Sequence, residues 1–591
     1  MELFLFQKLQ QAVLALYNLQ VEYSVLPLQK TRKDFAGDYT LVTFPLTKVV
    51  HNSPENIAAA LGKWLANNVP EIAAFNVVKG FLNIEFTADF WLQRLECFTK
   101  DKNFGTLPAT GKTVMVEYSS PNTNKPLHLG HIRNNLLGYS VAQILQAAGN
   151  KVIKVNLVND RGIHICKSML AWQKWGNGET PQSSGTKGDH LVGNYYVRFD
   201  QEYKQQIAEQ VAQGKREDEA KKQSPIILEA QTMLQKWEQG DAEVKQLWST
   251  MNGWVYDGFA ATYKALGVDF DKTYYESNTY LLGKGLVAEG LQKGVFFERD
   301  DSSVWIDLTA DGLDQKLVQR SDGTSVYITQ DIGTAVQRFG EHQLNAHIYV
   351  VGNEQNYHFQ VLKLILAKLG YAWADSIQHL SYGMVELPEG KMKSREGTVV
   401  DADDLVQQMF DTAREMADEL GKLEGLSDDD KHQVIRTVGL GALKYYILKV
   451  DPQKTMLFNP KESIDFNGNT GPFIQYTHAR IRSVLRRAAD EHLLAEVQRN
   501  VPLSAKEISL IKMLDEFSVI LQQAATALSP ALIANYTYEL TKEFNQFYHD
   551  FSILKEDNLA LKQFRLALSS QIALTINKAM SLLGIDVPER M

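Results

Sequence analysis

Two histidines and a lysine lie close together in the stretch EYSSPNTNKPLHLGHIRNNLLG, which begins at Glu117. His128 and His131 are separated by only two residues, one of them Gly130, and Lys125 precedes them. Imidazole N–H groups and an ammonium group can donate to phosphate oxygens, and a glycine lets a flat base approach the backbone. The grouping predicts a nucleotide-binding site, although two histidines at a helix start can instead be ordinary packing or capping residues.

The sequence around these residues predicts elements that suit an anion. Thr113–Val116 is a short apolar run that predicts a buried strand, and Pro126 interrupts regular structure. Helical spacing then continues up to Gly149 through Leu137, Val141, Ile144 and Leu145. A strand, a tight turn and a helix N-terminus together offer unpaired backbone N–H groups to a phosphate.

The stretch from Pro121 to Arg133 resembles the HIGH motif of the class I aminoacyl-tRNA synthetases. Its frame, S-S-P-N-x-x-K-P-x-H-x-G-H, is similar to the arginyl-tRNA synthetase version. The resemblance implies an α/β protein with a Rossmann-like parallel-sheet catalytic core, ATP as substrate and Mg²⁺ on the ATP phosphates. It implies ATP contacts for Pro121, Lys125, His128, Gly130, His131 and His358. The catalytic residues among them would be Lys125, His128 and His131.

The segment Gly390–Gly397, GKMKSREG, resembles the KMSKS loop, which in class I synthetases steadies the departing pyrophosphate. The resemblance implies a catalytic role for Lys391 and ATP contacts for Lys391, Met392 and Ser394. Ser394 stands where the motif normally has its critical lysine. Many arginyl enzymes lack that lysine, and the lysine just upstream of HIGH, here Lys125, is thought to supply the charge. A solvated basic loop is the alternative interpretation.

The stretch YITQD matches the Y-x-T-x-D of the arginyl enzymes, which lines their arginine pocket and here contains Tyr327 and Asp331. A carboxylate can hold the planar fork of a guanidinium through two hydrogen bonds, a geometry that an ammonium cannot reproduce. The resemblance adds Glu117 as a second acid, and Asn122 and Gln355 as amides that hold the two ends of the amino acid. An aspartate in a first helical turn can also be a simple cap or dipole partner.

Gly471–Arg487 combines four arginines with aromatic residues and contains no acid, which suits phosphate contact and base stacking. It resembles the opening of the helical anticodon-binding domain of arginyl enzymes, which implies tRNA contacts for Phe473, Tyr476, Arg480 and Arg482. A surface helix with a packed aromatic side is the alternative. Near the N-terminus, KGFLNI resembles a tRNA-contacting strand of the family, with Phe81 and Asn83 on matching positions. Core packing is an equal alternative for these two residues.

The pattern along the chain predicts three parts. They are an α+β unit at residues 1–106, a central part at 107–455 and an all-helical part at 456–591. The resemblance implies that they are a tRNA-contacting domain, the catalytic domain and an anticodon-binding domain. An insertion near residues 180–246 is polar and is expected to form charged helices with a solvated face. Strands are predicted at Tyr39–Phe44, Val152–Val158, Val304–Leu308, Ser325–Thr329 and Ile348–Val351. Glu276, in an aromatic-rich stretch, is a further candidate for function.

Composition limits the class of protein. The 591 residues carry a net charge of −9, so any contact with RNA must be local. Two cysteines, Cys97 and Cys166, cannot form a disulfide framework, and no zinc site is expected. The N-terminus lacks the basic start and cleavage site of a signal peptide, and no run approaches membrane-spanning length. A reducing cytoplasm is the expected setting.

These features together predict an arginine–tRNA ligase that forms arginyl-adenylate and transfers the arginyl group to the terminal ribose of tRNA(Arg). A monomer without a membrane partner is the family expectation. One rival is another class I enzyme such as a cysteinyl-tRNA synthetase, which the missing zinc-type cysteines disfavour. Another is a nucleotidyltransferase, which would not need the two terminal domains. A non-catalytic tRNA-binding paralogue would be expected to lose His128, His131 or Lys391, and all three are present.

Overall fold

The computed structural model describes residues 1–32, 34–386, 400–419, 427–499 and 501–591. No helix in these ranges is long and apolar enough to cross a membrane. The first part of the chain is an antiparallel sheet covered by helices. Its elements are α1 (Glu2–Tyr17), β1 (Leu28–Lys30), β2 (Tyr39–Val42), α2 (Phe44–Val50), α3 (Pro54–Asn68), β3 (Ile72–Val78), β4 (Phe81–Phe86) and α4 (Ala88–Lys100). The strand order is β1-β2-β4-β3.

The predicted strand at Tyr39–Phe44 is shorter than expected. It ends at Val42 because Phe44 and Pro45 begin α2, and proline is tolerated in the first turn of a helix.

A parallel sheet forms the centre of the chain. Its strands are β5 (Thr113–Glu117), β6 (Lys151–Val158), β7 (Lys272–Tyr275), β11 (Ala346–Gly352) and β12 (Ile377–Tyr382). Their order is β12-β11-β5-β6-β7, and every neighbouring pair is parallel. The carboxyl ends of all five strands therefore meet at one edge, where ligands bind in open α/β sheets.

The crossovers between these strands are mostly helical. They contain α5 (Leu129–Ala147), α6 (Ile163–Trp175), α7 (Pro181–Ser184), α8 (Gly188–Ala212), α9 (Glu217–Gln223), α10 (Pro225–Gln239), α11 (Ala242–Leu266), α12 (Glu276–Thr279), α13 (Lys284–Gln292), α14 (Tyr327–His342) and α15 (Asn356–Lys368). A small antiparallel sheet lies between α13 and α14, and consists of β8 (Phe297–Glu298), β9 (Val304–Ile306) and β10 (Lys316–Gln319).

The last part of the chain is almost wholly helical. Its elements are β13 (Val385–Glu386), α16 (Ala402–Glu419), α17 (Asp428–Leu448), β14 (Met456–Leu457), α18 (Pro460–Ser463), α19 (Gly471–Asp490), α20 (Ala505–Ala527), α21 (Pro530–Asp550) and α22 (Leu559–Leu582). The two short strands β13 and β14 pair in parallel.

The predicted strand at Ser325–Thr329 is wrong. Ser325 makes one isolated bridge to Gln319, but α14 already begins at Tyr327. The Thr329 hydroxyl donates to the Val318 carbonyl and accepts from the Val326 N–H, so it fixes the helix start against β10. A tertiary contact has overridden the β-propensity of this run.

The predicted solvated face of the insertion is only partly correct. Residues 201–219 are mostly exposed, as expected for charged helices. The first turns of α8 are buried instead, and the buried side chains there include Asp189, Leu191 and Val192. The first turns of α8 therefore lie inside the protein, and the insertion is most exposed further along.

Helix α5 is buried on nearly every face. One side covers the central sheet, and the other packs against α20, α21 and α22. The Ser140 hydroxyl, fully buried, donates to the Leu582 carbonyl at 2.8 Å. A helix buried on both sides carries apolar residues all round, which explains its weak amphipathic pattern.

Candidate active site

A tight turn carries the chain from β5 towards α5. Ser119 and Ser120 both have positive φ, +74° and +44°, a conformation that costs free energy for residues other than glycine. Buried amides hold them there, because the Ser119 N–H donates to Asn134 Oδ1 at 2.5 Å and the Ser120 N–H donates to Asn156 Oδ1 at 3.0 Å. Strain maintained by surrounding hydrogen bonds is typical of functional sites.

His128 and His131 cap the N-terminus of α5 reciprocally. The His128 N–H donates to His131 Nδ1 at 3.1 Å, and the Gly130 N–H donates to His128 Nδ1 at 3.1 Å. Because a neutral imidazole has one donor and one acceptor nitrogen, both rings must carry their proton on Nε2. Capping and ligand binding are therefore compatible, since the cap uses Nδ1 and leaves an Nε2–H donor on each ring.

The surroundings of His128 and His131 favour the neutral form of both imidazole rings. Burial lowers the pKa of His128 to about 4, and Lys125 acts in the same direction. Burial also holds the pKa of His131 well below its ordinary value, with smaller contributions from His128 and Lys125. Burial lowers the pKa of Lys125 as well, and no carboxylate of the described residues forms an ion pair with it. Two neutral donors and one unpaired cation form a suitable cradle for phosphate oxygens.

The predicted second phosphate element cannot be placed. Lys391, Met392 and Ser394 lie outside the described residues. The segment before them is held by Arg133, a fully buried side chain on α5. Its guanidinium donates to the carbonyls of Met384 (3.1 Å), Pro452 (3.1 Å) and Lys454 (2.8 Å). Residues 384–386 therefore lie against α5, the helix that begins within the HIGH-like motif.

The segment after them is held at the same place. The Leu129 N–H donates to the Val400 carbonyl at 3.1 Å, and the Ala402 N–H donates to the Leu127 carbonyl at 3.0 Å. These two bonds flank His128 on both sides in the sequence. The described residues on both sides of the KMSKS-like segment are thus bonded to the first turns of α5 or the loop before it.

Asp331 and His358 meet above the carboxyl edge of the sheet. Asp331 Oδ2 lies 2.6 Å from His358 Nε2. A residue predicted to bind arginine therefore contacts a residue predicted to bind ATP. Tyr327, one helical turn before Asp331, is 71% exposed. Asn122 and Gln355 are also exposed at the surface. Asp331 is therefore a partly exposed carboxylate that can accept a cation, and a shared pocket with Tyr327, Asn122 and Gln355 stays a prediction.

Glu117 is held beneath this surface by the protein itself. Its Oε2 forms an ion pair with the fully buried guanidinium of Arg338, which lies 4.6 Å from the ring of Tyr274. Its Oε1 accepts from the Ser120 hydroxyl at 3.2 Å. Both carboxylate oxygens therefore already have a partner within the protein, and a direct contact between Glu117 and a bound arginine stays a prediction.

Asp160 is a buried carboxylate at the same edge of the sheet and is absent from the predicted site residues. It is buried at the carboxyl end of β6 and accepts from the Tyr256 hydroxyl (2.9 Å), the Ser277 hydroxyl (2.7 Å) and the Ser277 N–H (2.8 Å). Burial raises the pKa of the neighbouring Glu276 to about 7, and Asp160 and Asp331 add to the effect. The sequence signal was the polar turn that ends β6, which marks the ligand-binding edge.

Comparison with known proteins adds the family. The chain matches three family descriptions: "Arginyl tRNA synthetase N terminal domain" over residues 4–86, "tRNA synthetases class I (R), catalytic domain" over 96–459, and "DALR anticodon binding domain" over 474–591. It is 59% identical to the arginine–tRNA ligase of Bacteroides thetaiotaomicron over 581 residues, which cover 98% of this chain and 97% of the relative. The chain belongs to the arginyl-tRNA synthetase family.

A second relative and a solved structure agree. The arginine–tRNA ligase of Parabacteroides distasonis is 58% identical over 580 residues, with 98% of this chain and 97% of the relative covered. The arginyl-tRNA synthetase of Thermus thermophilus superposes with a TM-score of 0.80 at 25% identity, covering 100% of this chain and 99% of that one. The predicted family, fold class and ligase reaction are thus confirmed, with ATP as substrate.

Three of the predicted tRNA-contacting residues share one face of α19. Phe473, Tyr476 and Arg480 follow helical spacing and are each partly exposed. The Arg480 guanidinium lies 4.8 Å from the Tyr476 ring centroid and donates to Asn545 at 2.7 Å. Arg482 lies on a different face and forms a 2.6 Å ion pair with Glu589. The aromatic–cation surface of Phe473, Tyr476 and Arg480 is therefore the better candidate for stacking.

Phe81 and Asn83, the two predicted tRNA-contacting residues near the N-terminus, differ in their exposure. Phe81 is partly exposed and packs edge-on against Phe44 at 5.5 Å. Asn83 is only 3% exposed, accepts from the Thr40 hydroxyl at 2.6 Å and donates to Asn76 at 2.8 Å. For Asn83 the structure favours the packing alternative, because its amide joins strands within the sheet, and a contact with tRNA stays a prediction.

Proposed function

We propose that this chain activates L-arginine with ATP and transfers the arginyl group to the 3′-terminal ribose of tRNA(Arg). The observation that carries the proposal is the reciprocal cap of His128 and His131 beside Lys125, which leaves an Nε2–H donor on each ring. Asp331 adds a carboxylate in contact with His358. The first site suits a triphosphate, and the second suits a forked cation. The residue roles given below are part of the proposal.

The first step forms arginyl-adenylate. An oxygen of the arginine carboxylate attacks the α-phosphorus of ATP, a new P–O bond forms, and the bond to the pyrophosphate oxygen breaks. Negative charge develops on phosphate oxygens, and preorganised N–H donors stabilise it without reorganisation. We assign His128, His131 and Lys125 to the α- and β-phosphates, and Lys391 to the pyrophosphate. Pro121, Gly130, Met392 and Ser394 complete the proposed ATP site.

Recognition of arginine rests on Asp331. The carboxylate can hold a guanidinium through two hydrogen bonds once His358 turns to the nucleotide. Tyr327 would cover the fork, and Asn122 and Gln355 would hold the amino and carboxylate groups. In the second step, the ribose hydroxyl attacks the arginyl carbonyl carbon, and the AMP oxygen departs as the ester forms.

Mg²⁺ is expected on the ATP phosphates. Among the described residues, the one group with metal-ligand spacing is Asp189, His190 and Asp403, and the Lys187 ammonium lies 2.6 Å from the Asp403 carboxylate there. That group is therefore a poor fit for a cation. Phosphate oxygens and water suit Mg²⁺ without a dedicated protein cage.

The test of the function is charging of total tRNA with each of the twenty amino acids in turn. We expect ATP-dependent ester formation with arginine alone, and equal charging with another amino acid would contradict the proposal. A second expectation comes from the family: ATP–pyrophosphate exchange with arginine should require tRNA. Equal exchange rates with and without tRNA would refute that requirement.

We also propose that the parts of the chain divide at residues 106 and 455, that the protein is a monomer, and that it is located in the cytoplasm.

Replacing Arg480 by alanine is expected to weaken tRNA binding uniformly across tRNA variants and to reduce the slope of log K against log salt by about 1. The reason is the loss of one phosphate-neutralising cation from the aromatic–cation surface. Binding is measured at several salt concentrations. Arg414→Ala, on the exposed side of α16, is the matched control and should leave the slope unchanged. An unchanged slope in Arg480→Ala would remove this residue from the interface.

A further inference from the structure

A cluster of charged side chains lies where the first turn of α8 meets the start of α16. The Lys187 ammonium is 2.6 Å from Asp403 Oδ2, 3.2 Å from Asp189 Oδ2 and 2.5 Å from the Thr262 hydroxyl oxygen. Thr262 in turn donates to Asp403 Oδ1 at 2.8 Å. Asp189 and Thr262 are buried, whereas Lys187 and Asp403 remain partly exposed. One lysine from the insertion thus joins three different helices.

His190 extends the cluster. Its Nε2 lies 3.2 Å from Asp403 Oδ2 and 3.4 Å from Asp401 Oδ2. Asp401 also accepts from the N–H groups of Asp403 (2.8 Å) and Asp404 (3.2 Å), and so caps α16. The insertion therefore supplies the two cationic groups of the cluster, and the start of α16 supplies two of its three carboxylates.

The start of α16 is also the segment that flanks His128. Val400 and Ala402 form backbone hydrogen bonds with Leu129 and Leu127, and Asp401 lies opposite His128 in an isolated antiparallel bridge. A displacement of Asp401 must therefore displace the backbone of His128. The side chains of Lys187 and His190 act on the same short segment from its other side.

Helix α8 also contacts the loop that precedes α5. A Cβ added to Gly193 would lie 2.8 Å from Pro126 Cδ and 3.6 Å from Lys125 Cα. Helix α8 therefore rests directly on the residues that carry the Lys125 ammonium. The first two turns of α8 therefore contact the loop before α5 directly, at Pro126 and Lys125. They also act on His128 indirectly, through the start of α16.

We propose that Lys187 and His190 are positioning residues for ATP, because they hold Asp403 and Asp401 and thereby fix Lys125 and His128 in the geometry that binds phosphate. The insertion near residues 180–246 then serves nucleotide activation as well as its own packing. This inference rests on the proposed roles of Lys125 and His128. Lys187 touches no reacting atom, and it acts only through the carboxylates of α16.

The test is Lys187→Met in the full chain, assayed by ATP–pyrophosphate exchange at saturating arginine and tRNA. Removing one partner of a partly buried ion pair leaves uncompensated carboxylates, so we expect the KM for ATP to rise about tenfold, which equals about 1.4 kcal/mol. The KM for arginine should change less than about twofold, because the Asp331 pocket is untouched. The matched control is Lys174→Met, which breaks the exposed 2.7 Å pair with Glu229 and should leave both constants unchanged.

A pH profile separates positioning from packing. The hydrogen bond to Asp403 raises the pKa of His190, Asp401 and Asp189 act in the same direction, and burial opposes them. Lys187 also faces Asp403 in this cluster. The cation is present below that pKa and is lost as the pH rises through it. The KM for ATP of the wild-type protein should therefore increase as the pH rises above the ordinary range of an imidazole, and this increase should be absent in His190→Gln.

The outcomes are distinguishable. If the wild-type protein does not activate arginine, the proposed function itself fails. If it does, an unchanged KM for ATP in a folded Lys187→Met variant overturns this inference alone. Should Lys187→Met not fold, the His190→Gln profile decides, and a profile identical to that of the wild type overturns the inference.

Discussion

Replacement of Asp331 by alanine is expected to lower kcat/KM for arginine about a thousandfold or more, because a pocket built on hydrogen bonds loses its discrimination when the partner is missing. Asp331 presents the carboxylate of the proposed pocket, and its contact with His358 shows that it can engage a flat, nitrogen-bearing group. The KM for ATP should change less than about threefold, since the phosphate cradle is formed by other residues. The measurement is arginine-dependent pyrophosphate exchange in the presence of tRNA.

Two further variants control this result. Asp375→Ala removes a fully exposed carboxylate from the same part of the chain and should leave the kinetics of the wild type intact. Asp331→Asn keeps the shape but not the charge, so its loss should approach that of alanine if the charge-assisted bond is decisive. Arginine kinetics that are unchanged in Asp331→Ala would remove this residue from the pocket.

Replacement of His131 by asparagine is expected to reduce kcat about 10²–10³-fold while the cap of α5 survives. An asparagine Oδ1 can take the place of Nδ1 and accept the His128 N–H, but nothing then replaces the Nε2–H that we assign to phosphate. The unfolding temperature should therefore stay close to that of the wild type. Single-turnover adenylate formation and thermal unfolding together check the two halves of the expectation.

His131→Gln is the complementary variant. Its longer amide reaches towards the Nε2 position but no longer matches Nδ1, so about 1 kcal/mol of stability should be lost with the cap and more activity should remain. If asparagine retained full activity, or if it lost stability while glutamine did not, the division of labour between Nδ1 and Nε2 would be wrong.

The sequence predicted the histidine pair but could not predict its tautomer. The identity of the residues and their spacing were visible in the chain, whereas the proton position depends on two backbone N–H groups that point at Nδ1 only after α5 has formed. The interpretation that the histidines were simple caps and the interpretation that they were ligands looked exclusive in the sequence. The geometry shows that they are compatible.

The differences between the local pattern and the structure have a common physical cause. At Ser325–Thr329, a bond from one threonine hydroxyl to β10 converted an apparent strand into a helix start. At Asn83, the position matched a contact strand, but neighbouring strands used the amide. At Asp189, a polar residue in a charged insertion proved to be fully buried. Each outcome depends on a partner distant in the chain, which local pattern does not contain.

The position of α5 has a consequence for the evolution of the chain. Helix α5, which begins at the proposed phosphate donors, lies between the central sheet and the C-terminal bundle, and the Ser140–Leu582 bond joins it to the last helix. Deleting the bundle would expose one side of α5 to water. The domain with the central sheet and the C-terminal bundle therefore cannot be exchanged independently. Any lineage that changes one of them must keep the packing of α5 against the other.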